Sequence, residues 1–181
     1  MSMQWKPSAT LALLPVAVLA APALSHAKIL VGVEETQKRL FPGEKLTPAP
    51  VVLTEAQRDR MRELSSVREP FRGERVWRTA KGDWFIVDEV VGKHEMVKYA
   101  LAVNADGSIK GIEIMEYVES YGYEVGEASW RNQFVGKTSA SALKLNKDIQ
   151  NVSGATLSCK HLTDGVKRLM VMHEMVLKGV K

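Results

Sequence analysis

Between Arg75 and Val118 the chain alternates β-branched and aromatic runs with short turn signals, and that pattern leaves few folds open. The runs are 76–78, Trp84–Val91, Met96–Val103 and 109–118. Lys81-Gly82-Asp83, Gly92-Lys93 and Asn104-Ala105-Asp106-Gly107 divide them. Strands joined by turns this tight give an antiparallel meander. Asp106-Gly107 between two apolar runs is a strong hairpin signal. In the last run the alternation of Ile109, Ile112 and Ile114 slips at Gly111, which predicts a bulge there.

Helical signals flank the meander. Val33–Leu40 reads as a short helix stopped by Phe41-Pro42-Gly43, and the proline-bearing loop 46–50 follows it. Thr54 and Gln57 have capping-box spacing at the start of a helix over 55–64, where each side chain can satisfy a backbone donor the other leaves exposed. A long helix is predicted over 157–177, with Leu162, Val166, Leu169, His173 and Val176 on one face. The predicted architecture is α+β: an antiparallel sheet of four to five strands, the long C-terminal helix packed on one face, and short N-terminal helices.

The first 27 residues stand apart. Lys6 provides a positive start, residues 11–24 form an apolar stretch broken by two prolines, and Ser25-His26-Ala27 has the small-x-small form of a cleavage site. The stretch is too short and too proline-broken to span a bilayer well, so it reads as a secretory signal peptide and predicts export. The remainder, 28–181, is long enough for one ordinary domain with a real core. Lys and Arg number 25 against 21 Asp and Glu, and the two signs are interspersed rather than blocked, which gives no argument for nucleic acid. A single cysteine, Cys159, excludes an internal disulfide and an ordinary cysteine-ligated iron–sulfur cluster within the chain, and no Cys-x-x-Cys-His is present for attached c-type haem.

Several motifs fail on inspection. Gly136-Lys137-Thr138 has the tail of a phosphate-binding P-loop, but the first glycine would fall at Arg131. Ser141-Ala142-Leu143-Lys144 has the spacing of a penicillin-interacting nucleophile without the partner motifs. His94, His161 and His173 show no metal-ligand spacing, and no metal is expected. What remains is Ser153-Gly154-Ala155-Thr156-Leu157-Ser158, directly before the long helix. The run is too small to pack a core, and it puts a hydroxyl where a helix begins, where free backbone N–H groups and the helix dipole favour a phosphate.

Ser153-Gly154-Ala155-Thr156 with its following helix resembles the flavinylation motif of the periplasmic FMN-binding domain family, which includes the covalently flavinylated subunits of the sodium-pumping quinone reductase and Rnf complexes. The likeness extends upstream. Residues 83–137 are similar to the family's sheet, 119–125 (ESYGYEV) stands where members carry an acidic, glycine-bearing flavin loop, and 130–137 (WRNQFVGK) matches the segment that follows it. Together with the leader and helix patterns, the resemblance divides the chain into a signal peptide at 1–27, an N-terminal helical segment at 28–72 and an FMN-binding domain at 73–181.

That resemblance implies that a flavin transferase attaches FMN through its phosphate to the hydroxyl of Thr156. Ser153, Gly154 and Ala155 complete the motif, the last two letting the transferase and the phosphate approach the backbone, and Leu157 and Ser158 open the helix beneath. Glu119, Tyr121, Gly122 and Tyr123 are the implied flavin contacts, and Lys137 is a candidate partner of the phosphate or a ring carbonyl, or a solvated lysine. The position three before Ser153, acidic in many members, is Gln150 here, with Asp148 two residues earlier. The implied protein is a periplasmic electron carrier, possessing no catalytic residue of its own, that exchanges electrons with membrane or periplasmic redox partners. The alternatives are a non-covalent FMN-binding or accessory module of a respiratory or maturation complex, and a purely structural periplasmic interaction domain.

Overall fold

Six antiparallel strands form one sheet in the order β1-β6-β5-β4-β3-β2. The computed structural model describes residues 28–118 and 122–180, so the predicted signal peptide at 1–27 lies outside the described residues. The strands are β1 (Ile29–Leu30), β2 (Leu46–Pro48), β3 (Val76–Thr79), β4 (Trp84–Val91), β5 (Met96–Val103) and β6 (Ile109–Tyr117). The helices are α1 (Val33–Leu40), α2 (Glu55–Ser65), the single turn α3 (Ala128–Arg131) and α4 (Thr156–Met172), which continues as a π turn over His173–Leu177.

The meander β3–β6 has the predicted strands and turns. β4 and β5 pair over their whole lengths, from Trp84 opposite Val103 to Val91 opposite Met96. The bulge predicted near Gly111 is present: Ala102 pairs with Gly111 and Val103 with Ile109, which leaves Lys110 as the extra residue. A second register shift, between Lys98 and Tyr99, leaves Met115 unpaired between Glu116 and Ile114. Bulges bend the strand and increase its twist, so the sheet curls. The sheet has six strands rather than four to five. The additional ones, β1 and β2, have two and three residues and belong to the N-terminal segment, where they pair at the two edges of the meander. Segments that short carry no detectable alternation, so only the tertiary pairing defines them.

The sheet is covered on both faces, which explains why β4 and β5 read as nearly continuous apolar runs. One face presents Ile86, Val90, Val97, Tyr99, Leu101, Ile112 and Ile114 to Leu162, Val166, Leu169 and Met172 of α4. Helix α2 packs on α4 and adds Met61 to that core. The other face presents Phe85, Val87, Ala100, Ala102 and Met115 to Phe41, Val33 and Leu40 of the α1 region. The capping box of α2 is present: Thr54 Oγ1 accepts from the Gln57 amide at 3.2 Å, and Gln57 Oε1 accepts from the Thr54 amide at 2.9 Å.

A buried polar cluster fixes α4 against the sheet. Arg168 donates from Nε to Asp88 Oδ2 at 3.0 Å and from Nη1 to the Glu69 carbonyl at 2.6 Å. Tyr99 donates its hydroxyl to the same Asp88 oxygen at 3.0 Å. Arg168 and Asp88 are each only 2% exposed. Gly165 allows the close approach above them, because a Cβ there would stand 2.5 Å from the Tyr99 hydroxyl and 2.8 Å from Val90.

Candidate functional site

Helix α4 begins at Thr156, and its N-terminus reaches the end of the sheet where β4 stops, β5 starts and β6 stops. Three contacts bring these parts together. His161 Nδ1 lies 2.7 Å from the Val91 carbonyl at the end of β4. The Tyr117 hydroxyl at the end of β6 lies 3.4 Å from Ser158 Oγ. Gly122 packs directly on Ala155: a Cβ at 122 would stand 2.6 Å from Ala155 Cβ and 2.8 Å from the Tyr117 hydroxyl. Gly122 has φ +83°, a conformation that favours glycine. Gly122, the end of β6 and the turn that opens α4 therefore form one surface.

The residues of that turn differ sharply in exposure. Ala155, Ser158 and Cys159 are buried, whereas Ser153, Gly154, Thr156 and Leu157 are exposed. Gly154 also has a positive φ of +83° with nothing within 4 Å of a Cβ built on it, so the backbone there is open to approach. Ala155 is the N-cap residue and supplies no side-chain acceptor, which leaves the amides of the first turn of α4 available to another one. The Thr156 hydroxyl accepts a hydrogen bond from Asn151 Nδ2 at 2.9 Å. Burial pushes the Cys159 thiol up, overriding the preference of a helix start for thiolate, and the nearby Glu124 carboxylate pushes the same way.

Sequence reasoning placed Gly122 and the 153–158 run in one site, and the structure brings them into contact. Glu119 and Tyr121 lie outside the described residues, and of Tyr123 only the backbone is described, opening a 3₁₀ turn over Tyr123–Gly126. Lys137 approaches the loop before the motif from another segment. Its carbonyl accepts from the Ile109 amide, at the start of β6, and its ammonium lies 3.4 Å from Asp148. Trp130 packs in the core against Phe134 and donates Nε1–H to the Gln150 carbonyl at 2.8 Å.

Glu124, Asn151 and Asp148 were not singled out as site residues from sequence. Glu124 follows Gly122 by two positions, and its Oε2 is buried with no hydrogen-bond partner. Asn151 reads as an ordinary loop asparagine until its contact with Thr156 is seen. Asp148 holds the loop before the motif, accepting from the amides of Leu143 at 3.1 Å and Lys144 at 2.8 Å. Desolvation alone would raise its carboxyl; those amides together with the Lys137 ammonium outweigh it and hold the group below the usual carboxylate range. An open groove of about 570 Å³ runs between Gln133 and residues 146–151, ending at Asn151, whose side chain bonds Thr156.

Uncapped helix amides suit a phosphate, Gly122 itself puts no side chain between its backbone and Ala155, and the orphaned Glu124 oxygen can accept from a ligand N–H or hydroxyl. This donor and acceptor set fits a flavin mononucleotide. Residues 92–171, from the β4–β5 turn nearly to the end of α4, match the model of the FMN-binding domain family. No curated protein matches the chain. Over residues 92–171 this chain is an FMN-binding domain, and FMN is its cofactor.

Proposed function

We propose that the protein is a periplasmic electron carrier whose FMN is joined by a phosphoester to Thr156. The observation that carries this reading is the state of Thr156 itself. It is the first residue of α4, its side chain is exposed, and no side chain caps the helix on which it stands. A phosphate on Thr156 Oγ1 would lie against the free amides of the first turn and the positive end of the dipole of a 17-residue helix. Gly122 and Ala155 keep the neighbouring backbone bare, and Glu124 supplies an acceptor for the flavin or its ribityl chain.

FMN supplies one- and two-electron transfer when bound, and the protein's part is to hold and orient it. For an exported protein a covalent bond has a clear physical use. A diffusible cofactor outside the cytoplasm is lost at the rate it dissociates, whereas a tethered one is retained whatever its affinity. The pocket can then stay open to partners, consistent with the exposed apolar side chains of Leu157, Val91 and Met96 on the elements that meet here. The partners are a flavin transferase for attachment, and membrane or periplasmic redox proteins as donor and acceptor. No helix among the described residues is long and apolar enough to cross a membrane.

The test is in-gel flavin fluorescence after denaturing electrophoresis of protein co-expressed with a flavin transferase. The wild type should fluoresce at the protein band and Thr156→Val should not, since valine removes the hydroxyl at nearly constant volume. Flavin that leaves the wild type on denaturation would refute the covalent bond and leave a reversible FMN-binding module.

A further inference from the structure

We infer that Asn151 is the positioning residue for flavin attachment, holding the Thr156 hydroxyl as a nucleophile with its proton uncommitted. The inference rests on the reading of Thr156 as the attachment residue.

Other hydroxyls in the helices of this chain show what Thr156 avoids. Thr36, Ser65 and Thr163 each donate to the carbonyl four residues earlier, at 2.8, 2.6 and 2.6 Å. Such back-bonding engages the proton and turns the oxygen toward the helix. The carbonyl four residues before Thr156 is that of Val152, and it accepts from the Ala155 amide. Instead Thr156 Oγ1 accepts from Asn151 Nδ2 at 2.9 Å. A hydroxyl has one proton and two acceptor lone pairs, so this contact fixes the oxygen while leaving the proton and the second lone pair for a reaction.

Asn151 can do this because the preceding residue is clamped. The Gln150 amide donates to Gln133 Oε1 at 2.7 Å, and the Gln150 carbonyl accepts from Trp130 Nε1 at 2.8 Å. Both backbone groups of residue 150, one in each of the two peptide units that flank its Cα, are thus held by side chains of the segment 130–133, and Asp148 anchors the loop two residues earlier through two amides. The Gln150 side chain itself is not needed for this, which suits a chain with no carboxylate at that position.

The step balances with a flavin dinucleotide, an anhydride of FMN and a nucleoside monophosphate, as donor. Thr156 Oγ1 forms a bond to the FMN phosphorus. The anhydride P–O bond breaks with its electron pair going to the departing nucleoside monophosphate, and the hydroxyl proton passes to a base on the transferase. Asn151 neither gives nor takes a proton; it holds the attacking oxygen.

The experiment follows attachment to the purified full chain by a purified flavin transferase with FAD, read as flavin that survives denaturation, at saturating FAD and varied acceptor concentration. Wild type, Thr156→Val, Asn151→Ala and Asn151→Ser are compared, with thermal melting and the Kd for free FMN measured on each. Loss of one hydrogen bond to the nucleophile should lower kcat for Asn151→Ala about tenfold. The KM for the acceptor, the Kd for FMN and the melting point should hold, and Asn151→Ser, which retains a donor, should recover part of the rate. Attachment to Thr156 of Asn151→Ala at the wild-type rate would overturn the inference and leave the attachment reading intact. A raised KM at constant kcat would also overturn it, making Asn151 a contact of the transferase. Absence of attachment to the wild type would remove the attachment reading, and this inference with it.

Discussion

Replacing Gly122 by alanine tests whether this residue packs directly on the start of α4. Two costs combine at this position. Holding alanine at φ +83° costs roughly 1–2 kcal/mol relative to glycine. The new methyl would also stand 2.6 Å from Ala155 Cβ, 3.2 Å from Ala155 Cα and 2.8 Å from the Tyr117 hydroxyl. Neither neighbour yields easily: Ala155 belongs to the backbone turn that opens α4, and Tyr117 is fully buried. Overpacking of this kind costs about 1–3 kcal/mol, so the total is about 2–5 kcal/mol. Gly154→Ala is the control. Its φ is the same +83°, but a Cβ there meets nothing within 4 Å, so only the conformational cost of about 1–2 kcal/mol applies. Urea unfolding of the two variants, read by circular dichroism, should therefore place Gly122→Ala below Gly154→Ala by about 1–3 kcal/mol. Gly122→Ala should also weaken FMN binding in a fluorescence titration, because relief of the overlap moves residue 122 off Ala155. Equal destabilisation of the two variants would refute the close packing of Gly122 on Ala155.

Further outcomes follow from the buried polar groups. Arg168→Met leaves the Asp88 carboxyl in the core without its counter-charge and should cost about 3–5 kcal/mol in urea unfolding, while the double variant Asp88→Leu with Arg168→Met should recover much of that loss. His173 is buried with Nδ1 unpartnered, and desolvation lowers its pKa, against the pull of Glu174 and with the help of Lys178. A lowered folded-state pKa means that its stabilising contribution is present above the unfolded value of about 6.5 and is lost as pH falls through the folded value. Unfolding free energy measured at pH 8 and at pH 5 should therefore fall more steeply for the wild type than for His173→Leu; parallel losses would exclude His173 as the cause.

Much of this fold is legible in the sequence because its signals are local. β4 and β5 are bounded by turns whose residues dictate their geometry, and the α2 capping box is a pair of side chains three positions apart. The apolar stripe of α4 identifies its buried face, including His173. The edge strands β1 and β2 are invisible because two or three residues have no period. Arg168 looks like a solvated charge beside that stripe, and only the position of Asp88, 80 residues away in the chain, shows that it is buried and paired. The site divides along the same line. The Ser-Gly-Ala-Thr run and the upstream glycine are short motifs that can be read directly. The contact of Gly122 with Ala155, the clamp of Trp130 and Gln133 on residue 150, and the pairing of Lys137 with Asp148 all depend on how distant loops fold back.

The most direct test of the account is peptide mass analysis of wild-type protein co-expressed with a flavin transferase. One FMN, added with loss of water, is expected on the tryptic peptide 148–160, fragmenting to Thr156, with an unmodified peptide in Thr156→Val. An unmodified wild-type peptide, or a flavin that maps to any other residue, would contradict it.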